Sequence, residues 1–250
     1  MYNLAISLSS SLTVFLALWL SLPSDYKAWG IVLGLVLFFG LNYFLSKRIM
    51  NKMEALMTVV SKELQSQRFE KAIRLLQGGF ELGKWQFFVK PQINAQIGCI
   101  YYLMREDEKA MESLKQGFAK HWVAMGMLAI LYMKKKDMKT MEETFEKAVK
   151  ASPKESLLWS VYAYCVLKEG GSRDKALDIL SRGLKKLPDD DKLKANHTAV
   201  ANKEKMKMKN YGEMWLQFYL EKAPPAGGQK IPPYMQALAQ SGKGRKIIRR

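Results

Sequence analysis

The chain has 250 residues, 48% of them apolar, and a formal net charge of +17. That length holds one ordinary domain with an appendage. The 2 cysteines, Cys99 and Cys165, and the 2 histidines, His121 and His197, stand in no CxxC or HxxxH pattern, which argues against a disulfide framework or a metal site. The charge is unevenly spread: within residues 1–46 only Asp25 and Lys27 are charged, so the whole positive excess falls in residues 47–250. This split points to a membrane piece joined to a basic soluble piece.

Residues 1–22, MYNLAISLSSSLTVFLALWLSL, carry no charged side chain. At 1.5 Å per residue they are just long enough to cross roughly 30 Å of hydrocarbon. Residues 28–46, AWGIVLGLVLFFGLNYFLS, form a second uncharged run, and PSDYK between them reads as a turn. Trp19, Tyr26, Trp29 and Tyr43 fall near the ends of these runs, where amphipathic rings favour the membrane interface. A cleavable signal peptide is the competing reading of the first run, but the first basic side chain, Lys27, follows the apolar stretch instead of preceding it. Lys47, Arg48 and Lys52 follow the second run at once, so the positive-inside rule assigns residue 47 onward, and with it both termini, to the cytoplasm. Gly30 and Gly34 give a GxxxG spacing, which lets helix backbones approach closely. Two uses are open: packing the two spans on each other, or dimerisation.

Ile49, Met53, Leu56, Val60 and Leu64 recur on one helical face, and no Pro or Gly separates them from the second run. One continuous helix is therefore expected from about residue 28 to 66. Beyond it the sequence repeats with a period near 34 residues. Asn94-x2-Ile97-Gly98-x2-Tyr101 leads to Ala110-x3-Leu114. Met125-x2-Leu128-Ala129-x2-Tyr132 leads to Met141-x3-Phe145 and Pro153. Trp159-x2-Tyr162-Ala163-x2-Val166 leads to Ala176-x3-Leu180 and Pro188. Gly98, Ala129 and Ala163 stand where the two helices of each hairpin come closest. Pro153 and Pro188 end the second helices. Lys136-Asp137 and Gly170-Gly171-Ser172 supply turns.

These elements resemble the tetratricopeptide repeat (TPR) family over about residues 91–188. Phe69-x2-Ala72-x3-Leu76 upstream and Tyr211-x2-Met214-x3-Phe218 downstream look like second helices of atypical end repeats, which cap such stacks. The reading is an all-α chain: a two-helix transmembrane hairpin (1–46), a membrane-exit helix with a first atypical repeat (47–90), an α-solenoid of TPR-type helix pairs with a degraded last repeat (91–224), and a Pro/Gly-containing then basic tail (225–250).

The resemblance implies a concave protein-binding groove lined by first helices, here Gln92, Gln96, Cys99, Tyr102, Val123, Met127, Ile130, Lys134, Leu157, Tyr164 and Lys168. Ala95, Cys99 and Met127 occupy the positions of the charged carboxylate clamp found in some relatives, so that clamp is not expected. The lining is apolar with a basic edge, which suits an amphipathic helix or an extended apolar segment. Side chains that merely pack between repeats are the alternative reading at each position.

Two segments fall outside the repeats. Trp85, Phe87 and Phe88, flanked by Lys84 and Lys90, either rest on a membrane surface or tuck against the first hairpin. Residues 222–250 carry basic and no acidic side chains. With Lys47, Arg48 and Lys52, the tail residues Lys243, Arg245, Lys246, Arg249 and Arg250 are candidate contacts to anionic lipid. Nucleic acid is the less expected target, because no base-stacking platform accompanies the charge. The run from Ile231 to Leu238 is apolar enough to dock in a groove of its own or another chain, and a solvated tail is the plain alternative.

No nucleophile motif, phosphate loop or dinucleotide fingerprint is present, and no enzyme activity or cofactor is expected. Glu142-Glu143 reads as a helix surface and Asp189-Asp190-Asp191 as a helix cap. The expected function is a non-catalytic scaffold that recruits or assembles protein partners at the cytoplasmic face of a membrane. The compact layout suggests the bacterial inner membrane. The layout of two spans before repeats also resembles the HemY N-terminal family, which implies, as the alternative, an accessory role in a membrane-associated biosynthetic pathway.

Overall fold

The computed structural model describes residues 1–21, 23 and 27–221. Asp25, Tyr26, the apolar 231–238 run and the basic Lys243, Arg245, Lys246, Arg249 and Arg250 lie outside the described residues. All the described regular structure is helical, and the chain divides into two compact units, residues 1–64 with 68–93, and residues 65–67 with 94 onward.

In the first unit, α1 (Tyr2–Ser21) and α2 (Lys27–Gln65) are both long and apolar enough to cross a membrane. Their apolar windows are 6% and 11% buried, so most of that surface faces outward, unlike a soluble core helix. The side chains that do meet are small or polar. Ser11 Oγ donates to the Gly34 carbonyl at 2.7 Å. A Cβ on Gly30 would lie 3.5 Å from Leu18 Cβ, and one on Gly34 would lie 3.5 Å from Phe15 Cβ. The two glycines thus face α1 within the same chain. Lys47, Arg48 and Lys52 are exposed on α2 just beyond its apolar run. The helix does continue without a break through Ile49, Met53 and Val60, all buried. A turn at Gln67 leads to α3 (Phe69–Gly78), which buries Ala72, Ile73 and Leu76, and a 3-10 stretch follows at Gly79–Lys84.

In the second unit, helix pairs follow one another: α4 (Val89–Leu103) with α5 (Asp107–Lys115), α6 (Trp122–Lys134) with α7 (Met138–Ala151), and α8 (Ser156–Lys168) with α9 (Arg173–Lys186). Then comes α10 (Asp191–Ala201). The helix α4 begins in the first unit, so only its residues from 94 onward belong here. First helices pack on first helices, α6 on α8 and α8 on α10, and each second helix sits between them.

The repeat is visible in its turns. The second residue past each first helix has positive φ: Gln67 (62°), Arg105 (64°), Lys136 (62°), Gly170 (77°) and Lys203 (62°). The next amide reaches back to a carbonyl of the last helical turn, as in Arg68 N to Glu63 O, Glu106 N to Tyr101 O, Asp137 N to Tyr132 O, Gly171 N to Val166 O and Glu204 N to Ala199 O. This is the Schellman closure, which satisfies carbonyls that a helix end leaves open. Two second helices, α7 and α9, then start on side-chain caps: Asp137 accepts from Thr140 N at 3.0 Å, and Ser172 accepts from Asp174 N at 3.2 Å. Asp190 caps α10 through Leu193 N at 2.7 Å, the role expected of the Asp cluster.

The small residues stand at the close approaches. Ala129 and Ala163 are fully buried, and a Cβ on Gly98 would sit 2.6 Å from Leu114 Cγ. On the second helices, Lys175 pairs with Glu142 at 2.6 Å, and Arg182 grips Glu146 through both guanidinium nitrogens. These pairs link neighbouring repeats, although exposed pairs add little stability.

The end of the array departs from the sequence expectation. Tyr211–Phe218 does not form the second helix of a last repeat. After α10 the chain makes a 3-10 turn at Met208–Tyr211, bends at Gly212, and forms only the short α11 (Glu213–Leu216). Gly212 has φ +59° and ψ −136°, a conformation open essentially to glycine alone, and it stops any helix that Tyr211 would start.

Candidate functional site

The first helices of the array present one face whose side chains converge on residues 208–221 of the same chain. At the α4 end, the Tyr102 hydroxyl donates to the Phe218 carbonyl at 2.7 Å. Arg105 lies over the Tyr219 ring, 3.5 Å from its centroid. From α6, Trp122 faces the Phe218 ring at 6.3 Å, and a Cβ on Gly126 would be 3.0 Å from Phe218 Cε1. The absence of a side chain at Gly126 is what lets Phe218 seat against the helix.

The α8 helix makes most of the remaining contacts. Tyr164 meets Trp215 edge-on at 4.8 Å, and its hydroxyl donates to Glu221 at 3.3 Å. Lys168 Nζ donates to the Leu220 carbonyl at 2.7 Å. Ser156 and Ser160 share the Tyr211 hydroxyl at 2.8 and 2.9 Å. On α10, Asn196 donates to Ser160 Oγ and accepts from Lys207 N at 2.7 Å. The seated residues Met208, Tyr211, Trp215, Phe218 and Leu220 are all buried. Tyr102 and Lys168 thus donate to two backbone carbonyls of this segment, and aromatic contacts lie between them.

Of the sequence-expected groove residues, Tyr102, Tyr164 and Lys168 touch this segment directly. Cys99, Met127, Ile130 and Leu157 are buried in the hydrophobic core of the array, and Val123 packs against it. Lys134 bonds Asp107 at 2.7 Å and lies over the Tyr102 ring. Gln96 bonds the ring of His121, which itself caps α6 through Ala124 N. Gln92 belongs to the first unit. Sequence reasoning missed Arg105, Trp122, Gly126, Ser156, Ser160 and Asn196, which lie off the positions carried over from the family. It also missed the occupant itself, although Gly212 followed by Trp215-x2-Phe218-Tyr219-Leu220 marks an apolar segment with no 34-residue phase.

Burial governs the titratable groups here. It pushes the Tyr102 phenol well above its ordinary range and Tyr164 to about 12. It raises the Cys99 thiol to about 12 and raises Cys165 as well, so both sulfurs stay protonated and unreactive. Desolvation lowers His121, which keeps the ring neutral and able to accept from Ala124 N. Among the described residues no group of His, Cys, Asp and Glu side chains could hold a metal ion.

The comparison with curated proteins finds no match. Among solved structures, one described as a MamA RS-1 ArsTM double mutant is similar at TM-score 0.43 and 13% identity, covering 76% of this chain and 96% of that one. Residues 124–155, which take in nearly all of α6, all of α7 and the turn between them, match the tetratricopeptide repeat family, so the chain carries a tetratricopeptide repeat, with its turn geometry recurring in the neighbouring helix pairs.

Proposed function

We propose that this chain is a membrane-anchored, non-catalytic adaptor whose array receives an aromatic peptide segment of a protein partner at the cytoplasmic face. Tetratricopeptide repeats are protein-interaction modules, and that coarse role rests on the match at 124–155. The observation that carries the finer reading is the occupied groove. Tyr102 and Lys168 hold two backbone carbonyls, while Trp122, Gly126 and Tyr164 seat Phe218 and Trp215. A groove that takes its own segment this way is suited to a segment of similar chemistry from elsewhere.

Anchoring is supported by the outward-facing apolar surface of α1 and α2 and by Lys47, Arg48 and Lys52 just beyond the apolar run. The test is photocrosslinking in cells, with a photoreactive amino acid at Val123 or Lys134 on the groove edge. The expected result is a defined protein adduct in the membrane fraction, with a yield that rises when Trp215→Ala and Phe218→Ala weaken the resident segment. Adducts confined to the chain itself in both backgrounds would refute the reading. Porphyrin in the purified protein with no protein adduct would favour the biosynthetic-accessory alternative.

A further inference from the structure

Within the first unit, the stretch Lys84–Pro91 lies against the beginning of α1. The Trp85 carbonyl accepts from Asn3 N at 3.3 Å, and the Tyr2 and Trp85 rings meet edge-on at 5.3 Å. The depth of that point follows from the helix pair. Leu18 faces Gly30, and Phe15 and Ser11 face Gly34, so α1 and α2 run antiparallel. Counting 1.5 Å per residue along both helices sets Asn3 opposite about residues 42–46 of α2. There the apolar run ends and Lys47 and Arg48 begin. Trp85 is thereby held at the level where a bilayer would give way to water.

The surface at that level is aromatic and basic. Phe87 is 62% exposed, Phe88 50% and Trp85 38%, and on the spans Tyr43 and Phe44 are 68% and 66% exposed. Beside them a cleft of about 550 Å3 is lined by Tyr2, Gly83, Lys84, Phe87, Lys90 and Pro91. Lys84 shares its charge with Glu81, and both are exposed. Exposed rings at interfacial depth beside flanking lysines have the composition of a monotopic membrane contact. An aqueous loop gains nothing by exposing adjacent phenylalanines.

We propose that residues 84–91 form a second membrane-contact site, which seats Trp85, Phe87 and Phe88 in the interfacial layer and takes an anionic phospholipid headgroup between Lys84 and Lys90. The occupant is the bilayer that carries the hairpin, so the inference rests on the anchoring reading above. Its consequence is that the pair α2–α3 is held to the membrane at two places: the spans and this aromatic stretch.

The experiment reconstitutes the full chain into vesicles of phosphatidylcholine with one quarter phosphatidylglycerol, with an environment-sensitive fluorophore on a new cysteine. The buried, protonated Cys99 and Cys165 do not compete for label. Phe87→Cys reports the site, Phe39→Cys reports the span, and Lys139→Cys on α7 reports water. With nitroxide-bearing lipids present, the labels at 87 and 39 are expected to be quenched and blue-shifted, and the label at 139 unaffected. Adding K84E and K90E should return the label at 87 toward its value in vesicles without the anionic lipid. Quenching at 39 without quenching at 87 overturns this proposal and leaves the anchoring reading standing. No quenching at 39 overturns both. Equal quenching at 87 with and without phosphatidylglycerol overturns the headgroup assignment.

Discussion

Replacing Phe218 by Ala tests whether residues 208–221 behave as a ligand held in a groove. Phe218 is fully buried, with its ring against Trp122 and the bare backbone of Gly126. Truncating a buried Phe to Ala costs about 3–5 kcal/mol through lost transfer energy and the void left behind. The Tyr102 bond to the residue 218 carbonyl is a backbone contact and survives the substitution. The loss therefore falls on the docking of the segment. The helix pairs α6–α7 and α8–α9 keep their own contacts, their caps and their Schellman turns. At about 1.4 kcal/mol per decade, local opening should become roughly a hundredfold or more easier. Hydrogen exchange read by mass spectrometry checks this. Peptides covering 213–221 should exchange roughly a hundredfold or more faster in the variant, with α7 and α9 unchanged. Unchanged exchange in 213–221 would refute the packing argument. A uniform loss of protection from α6 to α10 would show that the segment is an integral part of the fold.

Other perturbations follow from the same geometry. A buried phenol holds its proton more tightly in the folded state than in the unfolded one, so the contribution of Tyr102 and Tyr164 is intact below about pH 10. It is lost as pH climbs through the Tyr164 value of about 12, and urea midpoints should fall over that range, less steeply in Tyr102→Phe. His121 shifts the other way. Its depressed folded pKa gives stability that is present above about pH 6.5 and lost as pH falls further, and His121→Asn should keep the cap while flattening that acid limb in thermal melts. Gly98→Ala drives a methyl to 2.6 Å from Leu114 Cγ and should cost about 1–3 kcal/mol by denaturant titration, whereas Gly34→Ala meets only ordinary 3.5 Å contacts and should be tolerated. Gly212→Ala has open space around it but keeps the φ of +59°, so it should cost about 1–3 kcal/mol of strain, visible as faster exchange in 213–221.

The helix pairs were legible because burial writes a period into the sequence. Ala129 and Ala148 or Ala163 and Ala176 must be small where helices touch, and Pro153 and Pro188 must follow second helices. The Gly170 turn could be read for the same reason. Lys136-Asp137 could be read as a turn as well, but the equivalent turns at Gln67 and Arg105 could not, since a long polar side chain carries no mark of positive φ. The end of the array misled for a physical reason. The spacing Tyr211-x2-Met214-x3-Phe218 fits a helical stripe, but an irregular strip against a curved face also buries every third or fourth residue. Met214 breaks the helical reading, being 49% exposed while Tyr211, Trp215 and Phe218 are buried. The groove contacts at Gly126 and Asn196 were illegible because they depend on what lies across from them, a long-range fact absent from any local pattern.

On the proposed function, the face built from α4, α6, α8 and α10 is a peptide groove that residues 208–221 fill in cis. A fluorescent peptide of sequence 208–221 tests it directly by anisotropy against the purified full chain in detergent. Saturable binding is expected to the Trp215→Ala, Phe218→Ala variant, whose own segment is released, and none to the unaltered chain. Absence of binding to a variant that keeps its helical circular dichroism, or equal binding to both chains, would contradict it.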